Sequence, residues 1–470
     1  MSSRPFVAII GAGPTGLGAA TRMEELGHTD WALFDTCPEA GGLASSYVDD
    51  QGFTWDIGGH VLFSHYRYFD ALMDRALGDA WVEHVREAWV WMRDRWIPYP
   101  FQNNIRRLPT DDLLACLDGL IDLQTAPRER PASFDQWLLN QFGQGLCDVF
   151  MFPYNFKVWA YPPATMDVGW MGERVAPVDL KRVVRNVVRG GDDVGWGPNS
   201  TFRFPLHGGT GAIWRSVAEQ LPRERMRLGR RVVSVDLHAR RLTLADGEQV
   251  AYDHLISTMP LDLLLGILKG GEHLAPQAPR FVHSSSHIVG VGFDGPVPDE
   301  LRTKCWMYFP ESTSPFYRVT VFSNYSPHNV PRPGEQWSLM AEVSESSAKP
   351  VDHARVIEDV IDGFRASRLI RDDERIVSTW HRRMEHGYPT PWLGRDDVLA
   401  PIDAELSAHG ILSRGRFGAW KYEVSNQDHS VMQGVEAVGR ILEGTPEYTF
   451  HGDMRDWLDP VEPAGSAGGR

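Results

Sequence analysis

Apolar positions change their period twice along the chain. The run Phe6-Val7-Ala8-Ile9-Ile10 is short and continuous, which predicts a strand buried on both faces, and it passes through Gly11-Ala12-Gly13-Pro14-Thr15-Gly16 into a helix ending near Gly27. Trp31 to Phe34 predicts a second strand with Asp35 at its end. Between about residues 109 and 195 the period becomes helical. There Leu113, Leu114, Leu117, Leu120 and Ile121 read as one apolar face, and Ser133-x-x-Gln136 before Trp137-Leu138-Leu139 reads as a capping box. From Val232 the period is two, with strands over Val232 to Leu237, Arg241 to Leu244 and, past the Asp246-Gly247 turn, Gln249 to Tyr252, then the apolar strand Leu255 to Thr258. Strands at His287 to Phe293, Trp306 to Phe309, Arg318 to Phe322 and Ser338 to Val343 predict a second, largely antiparallel sheet, and Asp428 to Leu442 a last helix. No internal repeat is present, and Pro460 to Arg470 reads as a disordered tail.

The 470 residues suffice for two or three domains, and 47 Lys and Arg against 62 Asp and Glu leave a net charge of −15. That balance argues against nucleic acid or an anionic membrane as partner, so an anionic ligand must be held by locally placed cations. Four separated cysteines (Cys37, Cys116, Cys147, Cys305) give neither a disulfide framework nor a zinc motif. With no signal-like leader and no apolar stretch of membrane-spanning length, the chain reads as a soluble cytoplasmic protein. The 17 tryptophans suit a large core and the walls of a ligand site.

The Gly11, Gly13 and Gly16 turn follows a strand, opens a helix and has Asp35 about 20 residues on, which is the context of a dinucleotide site. Gly11 permits the tight turn, Gly13 lets the backbone approach a pyrophosphate, Gly16 lets helix and strand pack closely, and Asp35 accepts from the adenosine ribose. Two further glycine pairs, in Gly41-Gly42-Leu43-Ala44 and Gly58-Gly59-His60, suit a longer cofactor laid against several backbone segments. They point to FAD rather than NAD.

At Gly58-Gly59-His60-Val-Leu-Phe63-Ser-His65, Trp96-Ile-Pro-Tyr-Pro-Phe101-Gln-Asn-Asn104 and Tyr154-Asn-Phe-Lys-Val-Trp159 the chain resembles the UDP-galactopyranose mutases, and most closely the eukaryotic type. The resemblance continues through Gly172-Glu-Arg174-Val, Trp196-Gly-Pro-Asn199, Cys305-Trp-Met-Tyr-Phe-Pro310, Pro315-Phe-Tyr-Arg318, His386-Gly-Tyr388-Pro-Thr-Pro and Trp420-Lys-Tyr422-Glu-Val-Ser-Asn-Gln-Asp428-His-Ser430. It implies an α/β fold with a Rossmann-type FAD-binding domain (1–80 with 205–262 and 390–459), an inserted helical substrate-binding domain (103–200) and an antiparallel-sheet domain (81–102 with 263–389). The implied activity is redox-neutral interconversion of UDP-galactopyranose and UDP-galactofuranose, through attack of reduced-flavin N5 on the anomeric carbon. Reduced FAD is then the active form, a UDP-sugar the substrate, and NADPH or NADH the candidate reductant.

The same resemblance assigns Arg174 and Arg318 to the pyrophosphate, where a forked, permanent cation suits a diphosphate leaving group, and His60 to a loop beside the flavin. It assigns Tyr99, Phe101, Gln102 and Asn155 to uridine, and Trp306, Tyr308, Tyr388 and Tyr422 to the substrate, the tyrosines reaching the diphosphate. Arg86, Trp159 and Asn199 are assigned to the sugar or its lid. Gly11, Gly13, Thr15, Gly16, Asp35, Gly41, Gly42, Leu43, Ala44, Gly58, Gly59 and His60, with Asn426, Gln427, Asp428 and Ser430 at a helix N-terminus, are assigned to the cofactor. Ala88 stands where the eukaryotic enzymes carry a serine, a departure that bears on redox-linked loop movement. The competing readings are an FAD oxidoreductase of the amine-oxidase or protoporphyrinogen-oxidase kind, and a flavin-binding protein without catalysis.

Overall fold

The computed structural model describes residues 4–125, 129–171, 178–194 and 200–452. Arg174, Asn199, the motifs around them and the tail 460–470 lie outside the described residues.

Val7–Ile10 is the middle strand of a five-stranded parallel sheet in the order Ile411–Ser413, His254–Ser257, Val7–Ile10, Trp31–Phe34, Met226–Arg227. All four of its residues are buried, as expected for a parallel strand covered on both faces. One face is packed by the helices Pro14–Glu25 and Gln427–Glu443. The other meets a four-stranded sheet of Gln249–Ala251, Arg241–Leu244, Val232–Asp236 and Leu268–Lys269 through Ala8, Ile10, Leu242 and Leu255.

The second large sheet has seven strands, in the order Ile376–Pro389, His283–Asp294, Gln336–Glu345, Arg318–Val321, Trp306–Tyr308, Ala88–Met92, Arg95–Pro98. Every neighbouring pair is antiparallel except Trp306–Tyr308 with Ala88–Met92. Val289, Val291, Leu339, Ala341 and Val343 alternate onto the face covered by the helix Val356–Ala366. Ile288 and Met340 face the other way, into a core shared with the helical region, so sheet and helices form one continuous wall. That region contains Thr110–Asp122, Phe134–Leu146, a π-helical turn Cys147–Met151, Phe152–Trp159 and Leu180–Arg189.

Two local expectations are corrected. Leu114 and Ile121 are 51% and 53% exposed. The inward stripe of Thr110–Asp122 is instead buried Cys116 and Leu120 with half-buried Leu113 and Leu117, because at about 100° per residue positions 114 and 121 fall at its edge. At the next helix Gln136 does reach back, but its Oε1 accepts from the amide of Ala132 at 3.0 Å, and Ser133 Oγ donates to Asp135, so no reciprocal box closes. The long strand Ile376–Pro389 was not anticipated, since its charged positions hide the period of two.

Candidate active site

The cofactor end is built on backbone. Gly11 has φ +103°, and a Cβ there would lie 1.9 Å from Thr258 Oγ1. At Gly13 an added Cβ would meet nothing closer than Gly42 Cα at 3.8 Å, so this edge of the turn is open to a ligand at the start of a helix with Pro14 in its first turn. The Gly41 amide donates to Ala12 O at 2.8 Å, which sets the second glycine pair against the first. Asp35 accepts from the amides of Ala12 (2.6 Å) and Cys37 (2.7 Å), one on each oxygen, and each oxygen keeps a further lone pair for a ribose hydroxyl. Thr15 and Ala44 are buried beneath these turns. The residues therefore fit a dinucleotide.

The other expected cofactor contacts come from the loop Gly58 to His60 and the first turn of Gln427–Glu443. Gly59 is required by close approach, since a Cβ would lie 2.9 Å from Thr320 Oγ1. His60 Nδ1 is buried without a protein partner, and burial, helped by Arg416 and Arg318 against the pull of Glu342, lowers its pKa to about 4. A neutral ring with a bare nitrogen is thus offered to whatever occupies the cleft. The side chains of Gln427 and Asp428 have protein partners. Gln427 Oε1 accepts from Trp214 Nε1 at 2.9 Å, and Asp428 Oδ2 is bonded to the backbone and ring of His65 at 3.1 and 2.7 Å. Asn426 stands at the N-cap of their helix without a side-chain capping bond, and the Ser430 amide donates to Asn426 O, so what this turn can offer a cofactor is the positive end of the helix.

On the facing side the antiparallel sheet presents Arg318. Its Nε and Nη2 donate to the two oxygens of Glu342 at 2.7 and 2.8 Å, a bidentate pair. Buried Glu342 also accepts from Tyr317 OH at 2.7 Å and from the Gly59 amide at 2.9 Å. Burial would raise the Glu342 carboxyl, but Arg318 and these donors outweigh it and hold it below the ordinary value. One carboxylate thereby ties the loop of His60 to the arginine expected at the diphosphate. Sequence reasoning did not single out Glu342; its signal is a lone acid within the apolar run Leu339-Met340-Ala341-Glu342-Val343. Nor did it single out Arg416, which donates to Gly387 O (3.1 Å) and Ser425 Oγ (2.9 Å) and lies 4.8 Å from the ring centre of Tyr388 and 5.7 Å from that of Tyr422.

Aromatic side chains line the space between. Tyr308 lies 5.0 Å from Tyr99 and 5.5 Å from Tyr154; Tyr422 lies 4.7 Å from Trp159 and 5.8 Å from Tyr388. Arg86 sits over Trp306 at 4.8 Å. Phe101, which the resemblance assigns to uridine, is fully buried and stacked on Phe150 at 4.2 Å. Gln102 is buried beside it, and Asn155 Nδ2 donates to Met151 O at 2.8 Å, leaving its carbonyl for a ligand.

The family described as flavin containing amine oxidoreductase matches residues 14–401. The crystal structure of a reduced UDP-galactopyranose mutase is 52% identical, with a TM-score of 0.93, over 95% of this chain and 96% of that one. The chain belongs to the UDP-galactopyranose mutase family. Its fold is accordingly the flavin amine-oxidase type, with FAD as cofactor. A putrescine oxidase bound to putrescine shares the fold at 17% identity, with a TM-score of 0.63 over 93% of this chain and 99% of that one. A probable zeta-carotene desaturase of Synechococcus elongatus is 42% identical over 67 residues, 14% of each protein. Among the described residues no helix is long and apolar enough to cross a membrane.

Proposed function

We propose that the chain is a redox-neutral isomerase that interconverts UDP-galactopyranose and UDP-galactofuranose with reduced FAD bound. The observation that carries the reading is the Gly59–Glu342–Arg318 link, which sets a forked cation for a diphosphate next to a loop that faces the cofactor, inside a ring of tyrosines. An oxidase of amines has no use for such a cation. When bound, the reduced flavin supplies a nucleophilic nitrogen for the anomeric carbon.

The chain's own residues supply position and charge. Arg318, with Arg174, holds the diphosphate and neutralises charge that grows as it leaves the sugar. Tyr99, with Tyr154 near it, flanks the nucleoside; Tyr308, Tyr388 and Tyr422 orient the diphosphate, with Arg416 beside Tyr388 and Tyr422. Trp159, Arg86 and Asn199 close on the sugar, and His60 offers Nδ1 to a polar group of cofactor or substrate. The parallel-sheet region (1–80, 205–262, 390–459) is read as the FAD domain, 103–200 as the helical substrate domain, and 81–102 with 263–389 as the third. NADPH or NADH supplies the reducing equivalents in the cytoplasm, and the acidic chain engages neither nucleic acid nor membrane.

The test is anaerobic incubation of dithionite-reduced protein with a panel of UDP-sugars and separation of the products. Conversion of UDP-galactofuranose to the pyranose by reduced but not oxidised protein is expected. Oxidation of an amine substrate with no isomerisation supports the oxidoreductase reading instead.

A further inference from the structure

Two clusters of metal-ligating side chains lie apart from the proposed site. In one, His287, Glu345 and His353 converge, but Arg383 donates to Glu345 at 2.6 Å, and His287 is bonded through both nitrogens, to His381 at 3.0 Å and Glu345 at 3.1 Å. That network is complete, and its guanidinium repels a cation. The other joins Asp262, His283 and His386, and here no lysine or arginine pairs with Asp262 among the described residues.

The two histidines come from the antiparallel sheet, and the aspartate from a helix that follows a strand of the parallel one. Asp262 lies in the short helix Leu261–Gly266 that follows the parallel strand His254–Ser257; His283 opens the strand His283–Asp294; His386 lies in Ile376–Pro389. His386 leaves the ladder through a bulge. Ser284 faces Tyr388 and Ser286 faces Met384, so Glu385, His386 and Gly387 together oppose Ser285. Gly387 is required there, since a Cβ would lie 2.2 Å from Ser286 Oγ. The bulge aims the imidazole at Asp262, with Nε2 3.0 and 3.2 Å from its two oxygens.

The rings of His283 and His386 stack at 4.2 Å with 18° between their planes, walled by Phe417 and Trp420. Neither nitrogen of His283 has a strong partner: Nε2 is 3.5 Å from Glu385 and Nδ1 is 3.5 Å from Phe281 O. Two imidazoles and one carboxylate, with ligand atoms all within 4.8 Å of one another, form a donor set for a borderline-soft dication.

We propose that Asp262, His283 and His386 bind a divalent transition-metal ion of the Zn2+ class, with solvent completing the coordination. An ion here fastens the parallel sheet to the antiparallel one. It also fixes the Gly387-Tyr388 corner, whose Gly387 carbonyl accepts from Arg416. The inference does not depend on which sugar is the substrate, because its readout is the metal.

The full-length FAD-loaded protein is treated with chelator, desalted and titrated with Zn2+ by calorimetry, and bound zinc per flavin is measured by mass spectrometry after a second desalting. One ion per flavin is expected, with affinity weakened about 100-fold or more in His386→Ala and Asp262→Asn, and unchanged in His353→Ala. Flavin absorbance and the unfolding midpoint report folding, and His283→Gln is a third variant that preserves the wall. Absence of stoichiometric zinc overturns the proposal. So does zinc that survives both His386→Ala and Asp262→Asn, or that is lost on His353→Ala alone, which places the ion at the other cluster.

Discussion

Arg318 is held by a protein carboxylate, and under the proposed function it also meets the substrate, which changes what its removal does. Arg318→Ala leaves Glu342 buried without its cation, which should cost roughly 3 kcal/mol of stability, on top of a fall in kcat/KM of about 10²-fold or more. Arg318→Ala with Glu342→Gln should regain most of the stability and none of the rate; denaturant midpoints and steady-state rates of the single and double variants separate the two effects. An equally unstable double variant would contradict the pairing. His60 gives a second test. Its folded pKa of about 4 lies below the ordinary 6.5, so its contribution to stability is complete above pH 6.5 and is lost as the pH falls through about 4. The unfolding midpoint of the parent protein should therefore fall more steeply across that window than that of His60→Asn. Parallel curves would show a solvated imidazole.

Elements differ in how openly their sequence states them. The glycine turn and Val7–Ile10 were legible because both faces of that strand are buried and each residue reports the same thing. The helix Thr110–Asp122 was legible as a helix but not in its orientation, since five apolar residues span more than one stripe and only packing selects among them. Leu114→Lys should accordingly change stability by no more than about 0.5 kcal/mol, whereas Leu120→Ala should cost about 2 to 5 kcal/mol. Comparable losses in thermal or denaturant unfolding would reverse the assignment of the face. The loop of Gly58 to His60 makes a sharper prediction. Gly59→Ala must push against Thr320 and move the Glu342 contact, costing about 1 to 3 kcal/mol and slowing turnover while FAD stays bound. Unaltered turnover would mean that loop position does not matter. Glu342 itself was hidden because nothing local marks a buried acid as paired; its partners Gly59, Tyr317 and Arg318 meet only through the sheet and the loop.

At the scale of the molecule, the chain carries a net charge of −15, while Arg318, Arg416 and Arg86 stand among the aromatic residues of the candidate site. Under the proposed function the turns beside the parallel sheet meet the dinucleotide, and the antiparallel sheet brings Arg318, Tyr308 and Tyr388 to the diphosphate sugar. Ring contraction changes no oxidation state, so a flavin placed between these two surfaces is kept reduced rather than consumed. The most direct measurement reduces the FAD-loaded protein anaerobically with one equivalent of dithionite, adds excess UDP-galactofuranose, and follows product and flavin absorbance together. Many molecules of UDP-galactopyranose per flavin, with the flavin remaining bleached throughout, are predicted; reoxidation of the flavin one-for-one with product would contradict the account.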